Sequence, residues 1–235
     1  MKLQTDIFGK ALEDYFLNPK NQKLTTWTNL TEEDHVPLSY FFRSFEDMPV
    51  IEKKALELAR GKILDVGCGS GSHSLYLQNK GSTEVTALDI SMGAISIAKK
   101  RGVTNVICKS IWDFKDGNFD TILLLMNGMG IGNTLEEVPR LLNHLKTLLA
   151  PNGSILVDSS DLIYLFDEED IALWKEDEIY YGEVSFGIEF NKESEEFPWL
   201  YIDPKRLEEI ATNCGFKFTV IEEGENYDYL AQLKF

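Results

Sequence analysis

One short segment constrains this chain more than any other: Ile63-Leu64-Asp65-Val66, followed at once by Gly67-Cys68-Gly69-Ser70-Gly71-Ser72. A buried strand runs into a glycine-rich turn, and the turn opens a helix predicted over 72–80 and closed by Gly81. Glycine lets the backbone turn tightly and approach a bound nucleotide closely. A strand, turn and helix in this order belong to a layered α/β fold.

The rest of the chain continues the pattern. Strands are predicted at 84–88, 105–109, 119–126 and 154–157, and helices at 91–101, capped by Ser91 and stopped by Gly102, and at 134–150, ended by Pro151-Asn152-Gly153. Strict alternation of this kind gives a parallel sheet with helices on both faces. The last two strands, 216–221 and 229–235, follow a helix at 204–213 and are joined by a short acidic turn. So short a link cannot cross over, so these two pair antiparallel. The expected fold is a Rossmann-like, seven-stranded, mostly parallel sheet with one reversed strand.

Two regions lie outside that pattern. Residues 1–60 read as a helical cap: Ile7, Ala11, Leu12, Tyr15 and Phe16 share a helical face, Asn18-Pro19 ends it, and a polar, Thr-rich stretch and the run Tyr40-Phe41-Phe42 follow. A second helix is expected over 48–60, with Pro49 in its first turn. The core then occupies 61–235. It carries an insertion at about 161–203, read as an antiparallel hairpin of 179–190 and 199–202 separated by the charged stretch 191–196.

Charge narrows the partners. The net charge is −16, and residues 161–235 carry most of it, with 20 acids against 6 bases. Such a surface repels phosphate backbones and anionic lipid, so neither nucleic acid nor a membrane is an expected partner. Cys68, Cys108 and Cys214 are far apart, which fits neither a disulfide framework nor a zinc site, so no metal is expected. With no apolar leader at the start, the expected location is cytoplasmic. A monomer or homodimer is expected.

The glycine turn alone says only "nucleotide". Ser72 stands where a dinucleotide fingerprint wants glycine or alanine, and no Gly-Lys-Ser or Gly-Lys-Thr follows, which excludes a P-loop. Asp65, at the strand end, would oppose a pyrophosphate but suits a cationic ligand such as S-adenosylmethionine. Asp89 ends the next strand about 20 residues on, where an acid can accept both ribose hydroxyls; its alternative role is capping the helix near Ser91.

On these residues the chain resembles the class I S-adenosylmethionine-dependent methyltransferases. Residues 63–81 and 85–91 resemble their first two motifs, Phe119-Asp120-Thr121-Ile122-Leu123 their fourth-strand motif, and 148–154 the segment before their fifth strand. The resemblance implies S-adenosylmethionine as cofactor, with Gly67, Cys68, Gly69 and Gly71 lining it, Asp65 near its amino group and Asp89 on the ribose. It further implies Ile90 against the adenine, Asp113 accepting from the adenine amino group, and Trp112 as a neighbouring wall or a core aromatic. Arg43 is a candidate for the cofactor carboxylate. Asn127 is placed for the methionine part or the acceptor, in a loop unlike the Asn/Asp-Pro-Pro-Tyr/Phe loop of the enzymes that methylate adenine and glutamine amino groups. The catalytic residue is unknown, with His73, Asn127, Asp158 and Asp161 as candidates. Tyr180, Tyr181, Phe186, Trp199 and Tyr201 could form a substrate wall, a dimer contact or plain core. The expected activity is methyl transfer to a small-molecule acceptor of unidentified atom. The rivals are a non-catalytic S-adenosylmethionine-binding sensor or partner subunit and, less well supported, a nicotinamide oxidoreductase.

Overall fold

Seven strands of the chain form one sheet because their side chains are apolar on both faces, and each face finds its own cover. In the computed structural model, which describes residues 6–20, 22–81, 84–167 and 180–235, these strands are β3 (Lys62–Val66), β4 (Glu84–Asp89), β5 (Val106–Cys108), β6 (Phe119–Leu124), β7 (Leu149–Ser160), β10 (Lys217–Glu223) and β11 (Asp228–Lys234). Their order is β10-β11-β7-β6-β3-β4-β5. The pairs β7–β6, β6–β3, β3–β4 and β4–β5 are parallel, and β11 runs antiparallel to both of its neighbours. The single reversed strand is therefore β11.

Alternation along each strand sorts the core. Ile63, Leu123 and Leu156 pack with α2 (Val50–Leu58) and with Leu77 of α3 (Ser72–Asn79). Leu64, Ile122, Leu124, Ile155 and Val157 point the other way. There they meet α5 (Val138–Leu148) and α6 (Pro204–Asn213). Helix α5 buries Val138, Leu141, Leu142, Leu145 and Leu148, a stripe of helical spacing. It begins later than residue 134, after a 3-10 turn at Leu135–Glu137. Helix α4 (Met92–Arg101) is capped by the Ser91 hydroxyl on Ala94 N–H and ends at Gly102, as its sequence predicts. Strand β7 is longer than 154–157, because it continues to Ser160 beside β11.

The expected helical cap needs correction. Helix α1 (Ile7–Leu17) and α2 are present, but β1 (Lys23–Thr28) and β2 (Thr31–Pro37) form a hairpin between them. Threonines occupy much of the alternating pattern there, so the usual apolar signal of a strand is muted. The inserted hairpin also differs from its expected form. It consists of β8 (Glu183–Phe190) and β9 (Glu193–Leu200), turned by Asn191 and Lys192 with φ of 51° and 68°. Residues 193–196 are thus strand, although three glutamates among them make the segment read as a loop. Residues 168–179, at the front of the insertion, lie outside the described residues. Strand β8 pairs with β1, Thr25 opposite Glu189 and Thr28 opposite Phe186. Cap and insertion therefore share a second, four-stranded antiparallel sheet of order β2-β1-β8-β9. Among the described residues no helix is long and apolar enough to cross a membrane.

Candidate active site

The four-stranded sheet lies over the carboxyl edge of the seven-stranded one, and the two enclose a cavity of about 940 Å³. In open α/β sheets that edge is where ligands bind. Pockets for drug-sized ligands span about 300–1,000 Å³, so this one stands at the large end.

Its core-side wall begins with the glycine turn. Gly67, Gly69 and Gly71 all have positive φ, of 73°, 54° and 84°. Gly67, Cys68 and Gly69 line the cavity and Gly71 does not. A Cβ on Gly71 would stand 2.8 Å from Val103 and 3.1 Å from Ala98, so this glycine lets α3 approach α4. Asp89 is buried at the end of β4 and accepts Gly69 N–H on Oδ2 at 2.9 Å and Ser91 N–H on Oδ1 at 2.8 Å. Burial pushes its carboxyl up, while the Ser91 and Gly69 amides draw it down. Both oxygens are fixed in place and retain lone pairs for further donors. Helix capping and ligand binding are thus not exclusive here. Ile90, 69% exposed, and Met92 put apolar surface beside it at the cavity edge.

Several expected contacts fall elsewhere. Asp65 is buried and is not part of the cavity wall; it accepts from Ser74 Oγ of α3 at 2.6 Å. Alternation explains this, since Val66 faces the cavity and Asp65 the opposite side with Ile63. Burial pushes its carboxyl up, opposed by His73 and Ser74. Trp112 lies against α5, with Arg140 over its ring at 4.6 Å, and Asp113 is exposed; neither lines the cavity. Asp161 also stands outside it, accepting from Ile163 N–H and from Tyr181 Oη at 2.7 Å. Tyr180 donates to Asp203 at 2.9 Å, whereas Phe186, Trp199 and Tyr201 do line the cavity.

A buried ion cluster that the sequence did not announce forms another wall. Glu52 of α2 holds Arg43 Nη2 through one oxygen and His73 Nε2 through the other, at 2.6 Å for the histidine. All three residues are buried, and all three line the cavity. Burial opposes ionising Glu52, but His73 and Arg43 overcome it and lower its pKa. Burial likewise opposes charging His73, yet Glu52 and Asp65 raise its pKa. Both directions favour the charged forms of the Glu52–His73 pair. One signal for Glu52 was legible: it shares the buried stripe Ile51, Ala55, Leu56 of an amphipathic helix, where a lone acid needs a partner. Arg43 also donates to the Tyr40 carbonyl at 2.5 Å and stacks on that ring at 3.9 Å.

Past β6, Met126 and Asn127 adopt positive φ, of 63° and 58°, an uncommon conformation for residues with a side chain. Asp158 of β7 holds them there, accepting Met126 N–H on Oδ2 at 3.0 Å and Asn127 N–H on Oδ1 at 2.7 Å. Full burial lifts the Asp158 carboxyl to about 7, against the pull of these two amides. Two buried polar atoms in the cavity wall, Asn127 Oδ1 and Arg43 Nε, have no partner among the described residues. Buried polar atoms are normally bonded, so both call for a ligand.

The N-terminal segment is fastened over this wall. Asp6 caps α1 through Gly9 N–H at 2.8 Å and reaches α4 through Ser91 Oγ at 2.8 Å and Gly93 N–H at 2.9 Å. Ser70 and Ser72 hydroxyls both donate to the Phe41 carbonyl, and Arg101 Nη1 bonds the Ser70 carbonyl at 2.8 Å. Ser72, the residue that broke the dinucleotide fingerprint, thus ties the turn to the cap.

Comparisons agree with this geometry. A family model described as a methyltransferase domain matches residues 63–153. The crystal structure of an S-adenosylmethionine-dependent methyltransferase from Bacteroides fragilis, in complex with S-adenosyl-L-homocysteine, is 41% identical. It covers 99% of this chain and 96% of its own, with a TM-score of 0.88. A putative methyltransferase of Bacillus subtilis is 27% identical over 190 residues, 67% of this chain and 74% of that protein. An uncharacterised protein of Synechococcus sp. is 36% identical over 129 residues, 51% of this chain but 28% of that longer protein.

Proposed function

This chain belongs to the class I S-adenosylmethionine-dependent methyltransferases, and from that premise we propose that it methylates a small-molecule acceptor inside the cavity between its two sheets. The observation that carries the proposal is the enclosure itself: about 940 Å³ walled by two sheets of one chain suits a small acceptor better than a polymer.

The cofactor supplies an electrophilic methyl group on a sulfonium, which is already a good leaving group. The residues have to hold, align and exclude water. We assign cofactor holding to the cavity-lining members of the expected set. The Gly67-Cys68-Gly69 backbone would lie along it, Asp89 would accept the ribose hydroxyls, and Ile90 would cover one face of the adenine. The unpartnered Arg43 Nε and Asn127 Oδ1 fit the carboxylate and the ammonium of the amino-acid end respectively. Asp65 then acts from behind the turn, by holding Ser74.

Asp158 is the candidate proton acceptor, because it sits beside Asn127 and its buried carboxyl is lifted to about 7. His73 is less suited, since its Nε2 is already bonded to Glu52, which favours its charged form. Titration calorimetry with S-adenosylhomocysteine, followed by turnover on a panel of small acceptors, tests the proposal. Binding without turnover on any small molecule, together with methylation of a protein or nucleic acid, would sink it.

A further inference from the structure

We infer that the acceptor subsite is the inner face of the four-stranded sheet, and that it takes a planar aromatic molecule without an anionic group. The inference rests on the reading above, in which the opposite, glycine-turn wall holds the cofactor.

The two faces of that sheet differ sharply. Outward, Trp27 Nε1 and Ser185 Oγ both donate to Glu196, and Thr25 bonds His35. Inward, the strands present Leu24, Thr26, Phe186, Ile188, Phe197 and Trp199, together with Glu195, all of them lining the cavity. One end of this inner face is covered: Leu24, Ile188 and Phe190 pack on Ile7 and Ala11 of α1. At the other end Phe186 and Phe197 touch that cluster and still line the cavity. This end carries three rings, with centroids 5.7 Å apart for Phe186 and Phe197, 6.3 Å for Phe186 and Trp199, and 5.9 Å for Phe197 and Trp199. All three are only half-buried.

The Trp199 ring is closely seated. A Cβ on Gly130, in the turn after β6, would come within 1.9 Å of the Trp199 ring, so only a glycine lets the indole lie there. Rings in tilted and edge-on arrangement offer a further ring offset-stacked and edge-to-face places. A flexible aliphatic chain gains no such geometry.

Charge decides the rest. Among the described residues of the cavity wall the cations are Arg43 and His73, and Glu52 binds both. A phosphate or carboxylate on the acceptor would face the surplus carboxylates, with Arg43 already assigned to Glu52 and the cofactor carboxylate. Among the described residues six carboxylates, of Asp6, Glu52, Asp89, Asp158, Glu195 and Asp228, stand in that wall against these two cations. The wall therefore disfavours an anion.

The test uses the protein saturated with S-adenosylhomocysteine and three probes of one carbon skeleton: 2-naphthol, 2-naphthyl phosphate and decahydro-2-naphthol. Calorimetry is expected to show 2-naphthol binding at least about tenfold more tightly than each of the others. The variant Phe186→Leu/Trp199→Leu should lower 2-naphthol affinity by about tenfold while leaving S-adenosylhomocysteine affinity within about threefold, which also certifies that it folds. If the double variant does not fold, Phe197→Leu takes its place. Equal or tighter binding of the phosphate or the saturated alcohol overturns the inference, as do no binding of 2-naphthol or its unchanged affinity in the folded variant. Failure of the wild type to bind S-adenosylhomocysteine overturns instead the cofactor reading beneath it.

Discussion

The two walls of the cavity are built by opposite means. The core-side wall comes from strand ends and the turns that follow them, and its polar groups are backbone amides and carboxylates fixed by those amides. Asp89 between Gly69 and Ser91, and Asp158 between Met126 and Asn127, are the same device used twice. The facing wall is a sheet surface assembled from segments more than 140 residues apart, and it is lined mostly by apolar side chains and rings, with Glu195 among them. One wall can read a polar ligand atom by atom. The other can select by shape, area and ring contact. A transferase that must hold one constant cofactor beside its own particular acceptor needs both kinds of wall. Between them stands the Arg43–Glu52–His73 cluster, which pins the cap to the core.

That contrast can be broken most forcefully at the cluster. Glu52→Ala leaves Arg43 and His73 buried without their counter-charge, and loss of one partner of a buried pair costs about 3–5 kcal/mol. Thermal melting should register a large drop, with Glu52→Gln intermediate; an unchanged melting curve would refute the joining role. The next effect separates the walls. Asp89→Ala removes an acceptor of charge-assisted hydrogen bonds, each worth about 1.5–3 kcal/mol, so S-adenosylhomocysteine affinity should fall about 100-fold. Binding of 2-naphthol alone should survive that change, and its parallel loss would mean the walls do not act separately.

A pH series sharpens the comparison at Asp158. With the carboxyl lifted to about 7, the group is protonated below that pH and ionised above it. If ionised Asp158 accepts the proton, turnover rises about tenfold per unit below pH 7 and levels off above it. Asp158→Asn should abolish that rise, whereas an identical profile in the variant excludes the role. Stability moves the other way. A carboxyl whose pKa is raised on folding from about 3.9 contributes stability at low pH that is lost as pH climbs toward about 7. Wild-type melting temperature should therefore fall across that window relative to Asp158→Asn. The smallest effect belongs to Lys10 and Glu193, a half-exposed pair at 2.5 Å that links α1 to β9. Glu193→Gln should cost at most about 1 kcal/mol in chemical denaturation. A larger loss would show the second sheet to be held by charge more than by its packed face.

The nucleotide half was legible because its signals are local. Helix α4 runs from its Ser91 cap to Gly102, and the turn glycines take the positive φ that their spacing demands. The second sheet was not legible as such. Strand β1 is threonine-rich, β2 carries the acids Glu32, Glu33 and Asp34, and β9 begins with glutamates, so none of them carries a plain apolar alternation. Their pairing is long-range, and no local residue pattern encodes which distant edge a strand will meet.

Composition, spacing and capping by themselves determined the layered α/β core, the reversed last strand and the position of Asp89 beside the glycine turn. Each follows from interactions within a few residues or within one strand–turn–helix unit. Only the tertiary structure decided that Asp65 and Trp112 turn away from the cavity, that Glu52 joins Arg43 to His73, and that cap and insertion close over the site as one sheet. Those outcomes depend on which face of an element is covered and by what, and that is set when segments distant in the chain pack together.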